Sequence, residues 1–162
     1  MKNNDFHDIY NQYYHMLYLY AYSLTKNKDD ALDLVNDTFI KAYLHFEDTN
    51  KSIQYWLVRV LRNLYIDYVR KKKKLIDYEY HFEWVEDPYN FTKEIISNER
   101  KAWLYSEILK LPFIARQVML FSLEMKDEEI ADLLDKSVES IRMIRYRTKK
   151  ELKEKARKEN ML

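Results

Sequence analysis

No glycine occurs among the 162 residues of this chain, and proline occurs only at Pro88 and Pro112. Glycine is the default residue where a tight hairpin needs positive φ. Its absence argues against hairpin-rich sheets, and against every phosphate loop or nucleophile elbow built on glycine. Long runs of Leu, Lys, Glu, Tyr and Ala with few breakers favour helix instead. The expected fold is all-α, with the two prolines at segment boundaries. At this length the chain makes one domain or two small ones.

Several function classes fall away on composition. The chain has no cysteine, which removes disulfides, thiolate zinc sites and thiol nucleophiles. His7, His15, His45 and His81 show none of the spacings that hold zinc on a helix. Asp30, Asp33 and Asp37 lack partner ligands for a metal, and the serines have no motif around them. No catalytic residues, metal or cofactor are expected, and the chain reads as a non-enzyme. No stretch approaches the ~18 apolar residues of a spanning helix, so no membrane insertion is expected. The residues after Met1 carry no apolar run of signal-peptide length. A soluble, cytoplasmic protein is the expectation.

The net charge is only +1, but the charge is sorted into blocks. One basic block runs through Arg59, Arg62, Arg70, Lys71, Lys72, Lys73 and Lys74. A second runs through Arg142, Arg145, Arg147, Lys149, Lys150, Lys153, Lys155, Arg157 and Lys158. Between them, residues 76 to 99 carry Asp77, Glu79, Glu83, Glu86, Asp87, Glu94 and Glu99 against Lys93 alone. Two cationic surfaces on one chain suggest a polyanion gripped at two places. The acidic segment keeps the chain from adhering to itself, or imitates the polyanion.

Periodicity sketches the helices. Phe6, Ile9, Tyr10, Tyr13, Tyr14, Leu17, Tyr20, Ala21 and Leu24 form a first apolar stripe. A second helix begins near Asp29, with Ala31, Val35, Phe39, Ala42 and Phe46 on one face and Asp30, Asp33, Asp37 and Lys41 on another. Those acids are either a solvated face or a docking surface for a basic partner. A third helix runs from about Ser52 to Lys72. Its expected inner stripe is Ile53, Leu57, Val60, Leu61, Leu64 and Tyr68, with Arg59, Asn63, Ile66 and Arg70 on another face. Three such helices close a small core of about 70 residues. The expected division is a domain over 1–75, an acidic linker over 76–96 and a second domain over 97–162.

Two stretches carry function. Asp127 to Leu152 reads as a helix-turn-helix: a short helix with Ile130, Ala131 and Leu134 inward, a turn, then a long basic helix capped by Ser137. Arg142, Met143, Tyr146 and Arg147 then face base edges, and Lys149, Lys150 and Lys153 suit phosphates. The competing reading is a two-helix hairpin with a solvated basic tail. In the third helix, Tyr55, Trp56, Tyr65 and Tyr68 lie among cations, the combination that stacks unpaired bases, although Trp56 at its spacing from Val60 suits a core. Asn63 is able to hydrogen-bond a base edge, and Arg70 to Lys74 suit duplex phosphates.

These segments also resemble a family. Asp30-Ala31-Leu32-Asp33-Leu34-Val35-Asn36-Asp37-Thr38-Phe39-Ile40-Lys41-Ala42-Tyr43 resembles region 2.2 of bacterial sigma factors. Tyr55 through Arg70, with the four lysines that follow, resembles regions 2.3 and 2.4. Leu111-Pro112 through Val118, then Glu128-Glu129-Ile130-Ala131 and Ser140-Ile141-Arg142, resembles region 4. Order, spacing and the short linker are similar to the extracytoplasmic-function (ECF) type, which has only domains two and four.

The resemblance implies a factor that binds core RNA polymerase and directs promoter-specific initiation. By it, Asp33, Asp37, Phe39 and Lys41 meet the clamp helices of the beta-prime subunit. Asn50 in the Glu47–Lys51 loop, Tyr55, Arg59, Arg62, Asn63, Arg70, Lys71 and Lys72 serve the −10 element, where a non-template base is flipped. Arg116, Ser140, Arg142, Met143, Tyr146, Arg147, Lys149 and Lys150 serve the −35 element. The acidic linker is similar to the family segment that threads the polymerase RNA channel. The implied partners are promoter DNA, core polymerase through its clamp helices and beta flap, and an anti-sigma factor. Ile53 stands where the family often has Phe, and Glu139 where Gly is common, which bears on promoter sequence. The other reading is a helix-turn-helix regulator that acts without polymerase, for which a dimer seam is expected and no heptad run supplies one.

Overall fold

The computed structural model describes residues 3–46, 52–71, 87–122 and 125–161. The described residues form helices and no strand, and the chain divides into two compact units near residue 81.

The first unit holds α1 (Asn3–Thr25), α2 (Lys28–His45) and α3 (Ile53–Lys71). Leu17, Tyr20, Ala21 and Leu24 of the expected stripe are buried, and Met16 and Leu19 widen it. The turn into α2 works without glycine: Lys26 takes a left-handed φ of 57°, and its N–H reaches the Tyr22 carbonyl at 2.9 Å. Asn27 then caps α2, its side chain accepting from Asp30 N at 2.9 Å. Ala31, Val35, Phe39 and Ala42 point inward as the periodicity predicts.

The buried seam of α3 is rotated from the expected one. Gln54, Leu57, Val58, Leu61 and Tyr65 are buried, whereas Ile53, Val60, Leu64 and Tyr68 are half-buried. Two tyrosines account for the rotation. Tyr65 Oη donates to the Leu24 carbonyl at 3.2 Å, and Tyr68 Oη to Asp30 Oδ2 at 2.5 Å. Each fully buried leucine here contributes roughly 1.5–3 kcal/mol, so the seam through Leu57 and Leu61 dominates over a stripe centred on Val60.

The second unit holds α4 (Pro88–Ile95), α5 (Glu99–Leu109), α6 (Phe113–Phe121), α7 (Asp127–Leu134) and α8 (Val138–Lys158). The last part of the segment expected as a linker, residues 88–95, is the helix α4. From residue 87 onward the chain is capped and packed, while residues 76–86 lie outside the described residues. Asp87 accepts from Tyr89 N at 3.0 Å, Pro88 fills the first turn, and Phe91 and Ile96 are buried. Thr92 Oγ1 also donates to the Ala102 carbonyl at 2.8 Å, tying α4 to α5.

A buried carboxylate ties α8 to this pair. Glu107 on α5, its side chain 7% exposed, takes Lys155 of α8 at 2.5 Å and Lys110 at 3.1 Å. Lys110 also reaches Asp87 at 3.4 Å. The α7–α8 turn uses Asp135 at φ 54° and ψ 52°, the place where a glycine is commonest. Asp127 is the first residue of α7, and Glu129 Oε1 accepts from Lys126 N at 3.0 Å. Ser137 caps α8 as expected, accepting from Ser140 N at 3.1 Å.

Candidate functional site

Three solvent-facing surfaces gather the residues that the sequence singled out. On α2, Asp33, Asp37 and Lys41 are exposed together. Beside them Ile40 is 56% and Leu44 62% exposed, two large apolar side chains that the sequence reading did not assign to this face. Their spacing from Asp33 and Asp37 is the signal that would have found them, since residues three and four apart share one helix face. Two candidates leave it. Phe39 is 2% exposed and packs 4.8 Å from Tyr10, so its ring is core and offers no contact to a partner. Asp30 turns to α3, where it accepts from Tyr68.

On α3, Arg59, Asn63, Ile66 and Arg70 lie in one exposed stripe at intervals of four, three and four, with Lys71 exposed at its end. Arg62 is half-buried. Arg70 makes only a loose 3.9 Å ion pair with Asp67, leaving it free to meet phosphate. The aromatic platform expected here is not on that stripe. Tyr55 is 5% exposed and belongs to the core, which corrects its assignment to DNA. Tyr65 and Tyr68 stack on each other at 6.0 Å and spend their hydroxyls on α1 and α2. Trp56 is half-buried, edge-on to Phe46 at 5.4 Å. Asn50 and Lys72 lie outside the described residues.

The third surface is the outer face of α8. Nine basic residues against three acidic ones, a balance of +6, leave this helix strongly cationic. Arg142, Arg147, Lys149 and Lys150 are exposed, as are Met143 (49%) and Tyr146 (66%). Arg142, Met143, Tyr146 and Arg147 share one side of the helix, so the reading face expected from spacing exists as a surface. Ser140 is half-buried. Arg116 is not part of the surface. At 4% exposure it donates to the Leu109 carbonyl at 3.5 Å and lies 5.5 Å over the Phe113 ring, so it joins α5 to α6 instead of meeting DNA.

On another side of the second unit lies an apolar groove of about 500 Å³ floored by Trp103, Leu104, Met119 and Leu152. Lys149 and Lys153 edge it, so Lys149 borders two surfaces. Among the described residues no group of His, Cys, Asp and Glu is placed to hold a metal ion. No described helix is long and apolar enough to cross a membrane.

Comparison with known proteins follows the same division. The family described as Sigma-70 region 2 matches residues 9–75, the whole of the described first unit beyond its opening turns. The ECF RNA polymerase sigma factor SigM of Bacillus subtilis is 44% identical over 68 residues, which is 41% of this chain and 42% of that one. The ECF RNA polymerase sigma factor SigW of the same organism is 28% identical over 166 aligned residues, spanning 94% of this chain and 89% of its own length. Among solved structures, CnrH in complex with the cytosolic domain of CnrY aligns with a TM-score of 0.54 at 20% identity, over 94% of this chain and 87% of that one. That likeness concerns the fold, and it is all-helical in both units. Close identity over part of the chain, and alignment along nearly all of it, point the same way: residues 9–75 match Sigma-70 region 2, and the chain is similar along most of its length to bacterial RNA polymerase sigma factors of the extracytoplasmic-function type.

Proposed function

We propose that this sigma factor docks on core polymerase through the outer face of α2 and holds promoter DNA on α3 and α8. The observation that carries the docking is the pairing of Asp33 and Asp37 with Ile40 and Leu44. Two large apolar side chains more than half exposed, set among acids, are what a partner covers and pairs. The clamp helices of the beta-prime subunit are that partner, and Lys41 lies at the edge of the contact.

On α3, Arg59, Arg62, Arg70 and Lys71 grip backbone phosphates of the −10 element, and Asn63 meets the flipped base. Asn50 and Lys72, outside the described residues, are assigned to the same DNA element in this reading. On α8, Arg142, Met143, Tyr146 and Arg147 read the −35 duplex in the major groove, and Lys149 and Lys150 hold phosphates. Tyr55, Phe39 and Arg116 have no contact role and support these faces from within. The groove by Trp103 and Leu104 suits an apolar segment of the beta flap. An anti-sigma factor that covers Ile40 and Leu44 competes directly with the clamp helices. The chain performs no chemistry of its own in this reading and works in the cytoplasm, where polymerase is.

The test is charge reversal on α2. Asp33→Arg with Asp37→Arg is expected to lower co-purification with core polymerase at least about tenfold, since reversing a complementary interface charge costs several kcal/mol. Both residues are exposed, so the melting profile stays that of the parent. Undiminished co-purification would remove the docking assignment.

A further inference from the structure

Arg142 projects from the second turn of α8 with its side chain 61% exposed, and its Nε donates to Asp127 Oδ2 at 3.3 Å. Asp127 opens α7, and its side chain is only 18% exposed. Its other oxygen, Oδ1, takes Arg145 Nη2. One carboxylate therefore holds two guanidinium groups three residues apart on the same helix. Arg145, 24% exposed, is the inner member. Arg142 is the outer member, and its Nη groups make no further hydrogen bond among the described residues.

The consequence follows from guanidinium geometry. The group is a planar fork of five N–H donors. Fixing Nε against a carboxylate leaves the two Nη groups as the outward edge. A guanine presents O6 and N7 side by side in the major groove, and that paired edge is what grips them. An unheld arginine on a solvated helix spreads over many rotamers and must be ordered when DNA arrives. Asp127 supplies that order beforehand. It also offsets the repulsion between Arg142 and Arg145, which face the same side at a spacing of three.

We propose that Asp127 is a positioning residue for base reading, which aims the outer edge of Arg142 at a guanine of the −35 duplex. The proposal rests on α8 being the −35 reading helix. Asp127 itself touches no base: its carboxylate would repel phosphate, and its role passes through Arg142. A surface ion pair that merely stabilises the α7–α8 corner predicts a different pattern. Loss of such a pair weakens all DNA binding together. Loss of a positioning carboxylate weakens discrimination at one base while removing a negative charge beside a polyanion, so non-specific binding holds or rises.

The experiment uses the full chain assembled with core polymerase on promoters randomised through the −35 element, with non-specific duplex binding measured in parallel. Parent, Asp127→Ala, Asp127→Asn and Arg142→Ala are compared. Arg142→Ala is expected to abolish the preference at one base position. Asp127→Ala is expected to reduce the guanine preference at that same position about tenfold, within the range of one bidentate contact. Asp127→Asn keeps an acceptor for Nε without the charge and is expected to reduce it about threefold, by the smaller strength of a neutral acceptor. Neither Asp127 variant lowers non-specific binding. If Asp127→Ala fails to fold, Asp127→Asn decides by the same two readouts. If Arg142→Ala relaxes one position and neither Asp127 variant changes it, the positioning role is overturned and the reading of α8 stands. A parallel fall of specific and non-specific binding in the Asp127 variants also overturns it, as a structural effect. If Arg142→Ala changes no position, the reading of α8 falls and the proposal with it.

Discussion

At the scale of single residues, tyrosine hydroxyls fix the first unit more than the sequence suggests. Tyr68 Oη donates to the carboxylate of Asp30 across the α2–α3 contact at 2.5 Å. Hydrogen bonds to charged groups contribute about 1.5–3 kcal/mol, and this one is only half-buried, so the lower end applies. Tyr68→Phe is expected to destabilise the first unit by about 1–2 kcal/mol in urea unfolding, with little change in slope. An unchanged midpoint would mean that the bond does not carry the corner. The same tyrosines explain what the sequence hid. Neighbouring helix residues differ by about 100° around the axis, so a periodicity argument places a face but not each residue beside it. Tyr55 falls in the core while Trp56, next to it, is half-buried. Phe39 and Arg116 were assigned to partners by resemblance, and burial of 2% and 4% exposure removes them. The exposure of Arg59, Asn63, Arg70, Arg142, Tyr146 and Arg147 was legible because a place on a charged stripe follows directly from spacing.

At the scale of elements, α4 is a short helix inside the segment expected as a linker. Its eight residues are too few to show a stripe, and the acids around it read as linker. What makes it a helix is its cap. The carboxyl of Asp87 is held below the usual carboxylate range, chiefly by the backbone N–H of Tyr89; burial opposes this, and the ammonium groups of Lys110 and Lys93 add to the lowering. A depressed folded pKa gives stability that is complete above the unfolded value and lost as pH falls through the folded one. The difference in melting temperature between parent and Asp87→Asn is therefore expected to be full at about pH 5 and above. It should shrink as pH drops below about 4, the ordinary aspartate range. A difference independent of pH would show that the charge of Asp87 does not hold α4. The helices α2, α3, α7 and α8 were legible within a few residues because each has a long stripe or a capping side chain. Asp127, the first residue of α7, sends its carboxylate to α8.

At the scale of the whole molecule, a net charge of +1 conceals surfaces of opposite sign. The outer face of α2 is acidic and apolar, while α3 and α8 present cations. A chain with this balance is expected to attract DNA weakly as a whole, and in the proposed function polymerase supplies the remaining contacts. The all-helical character of the described residues was readable from the absence of glycine and the long apolar stripes. The composition of the α2 face was only half readable: spacing from Asp33 and Asp37 puts Ile40 and Leu44 on it, but both are ordinary core types, and packing decides that they stay exposed. The most direct measurement of the central claim is transcription in vitro from a randomised promoter library, with core polymerase in the presence and absence of this chain. Discrete start sites that share a −35 and a −10 sequence, appearing only when the chain is added, are the expected result. Transcripts unchanged by the chain, or arising without any shared upstream sequence, would contradict it.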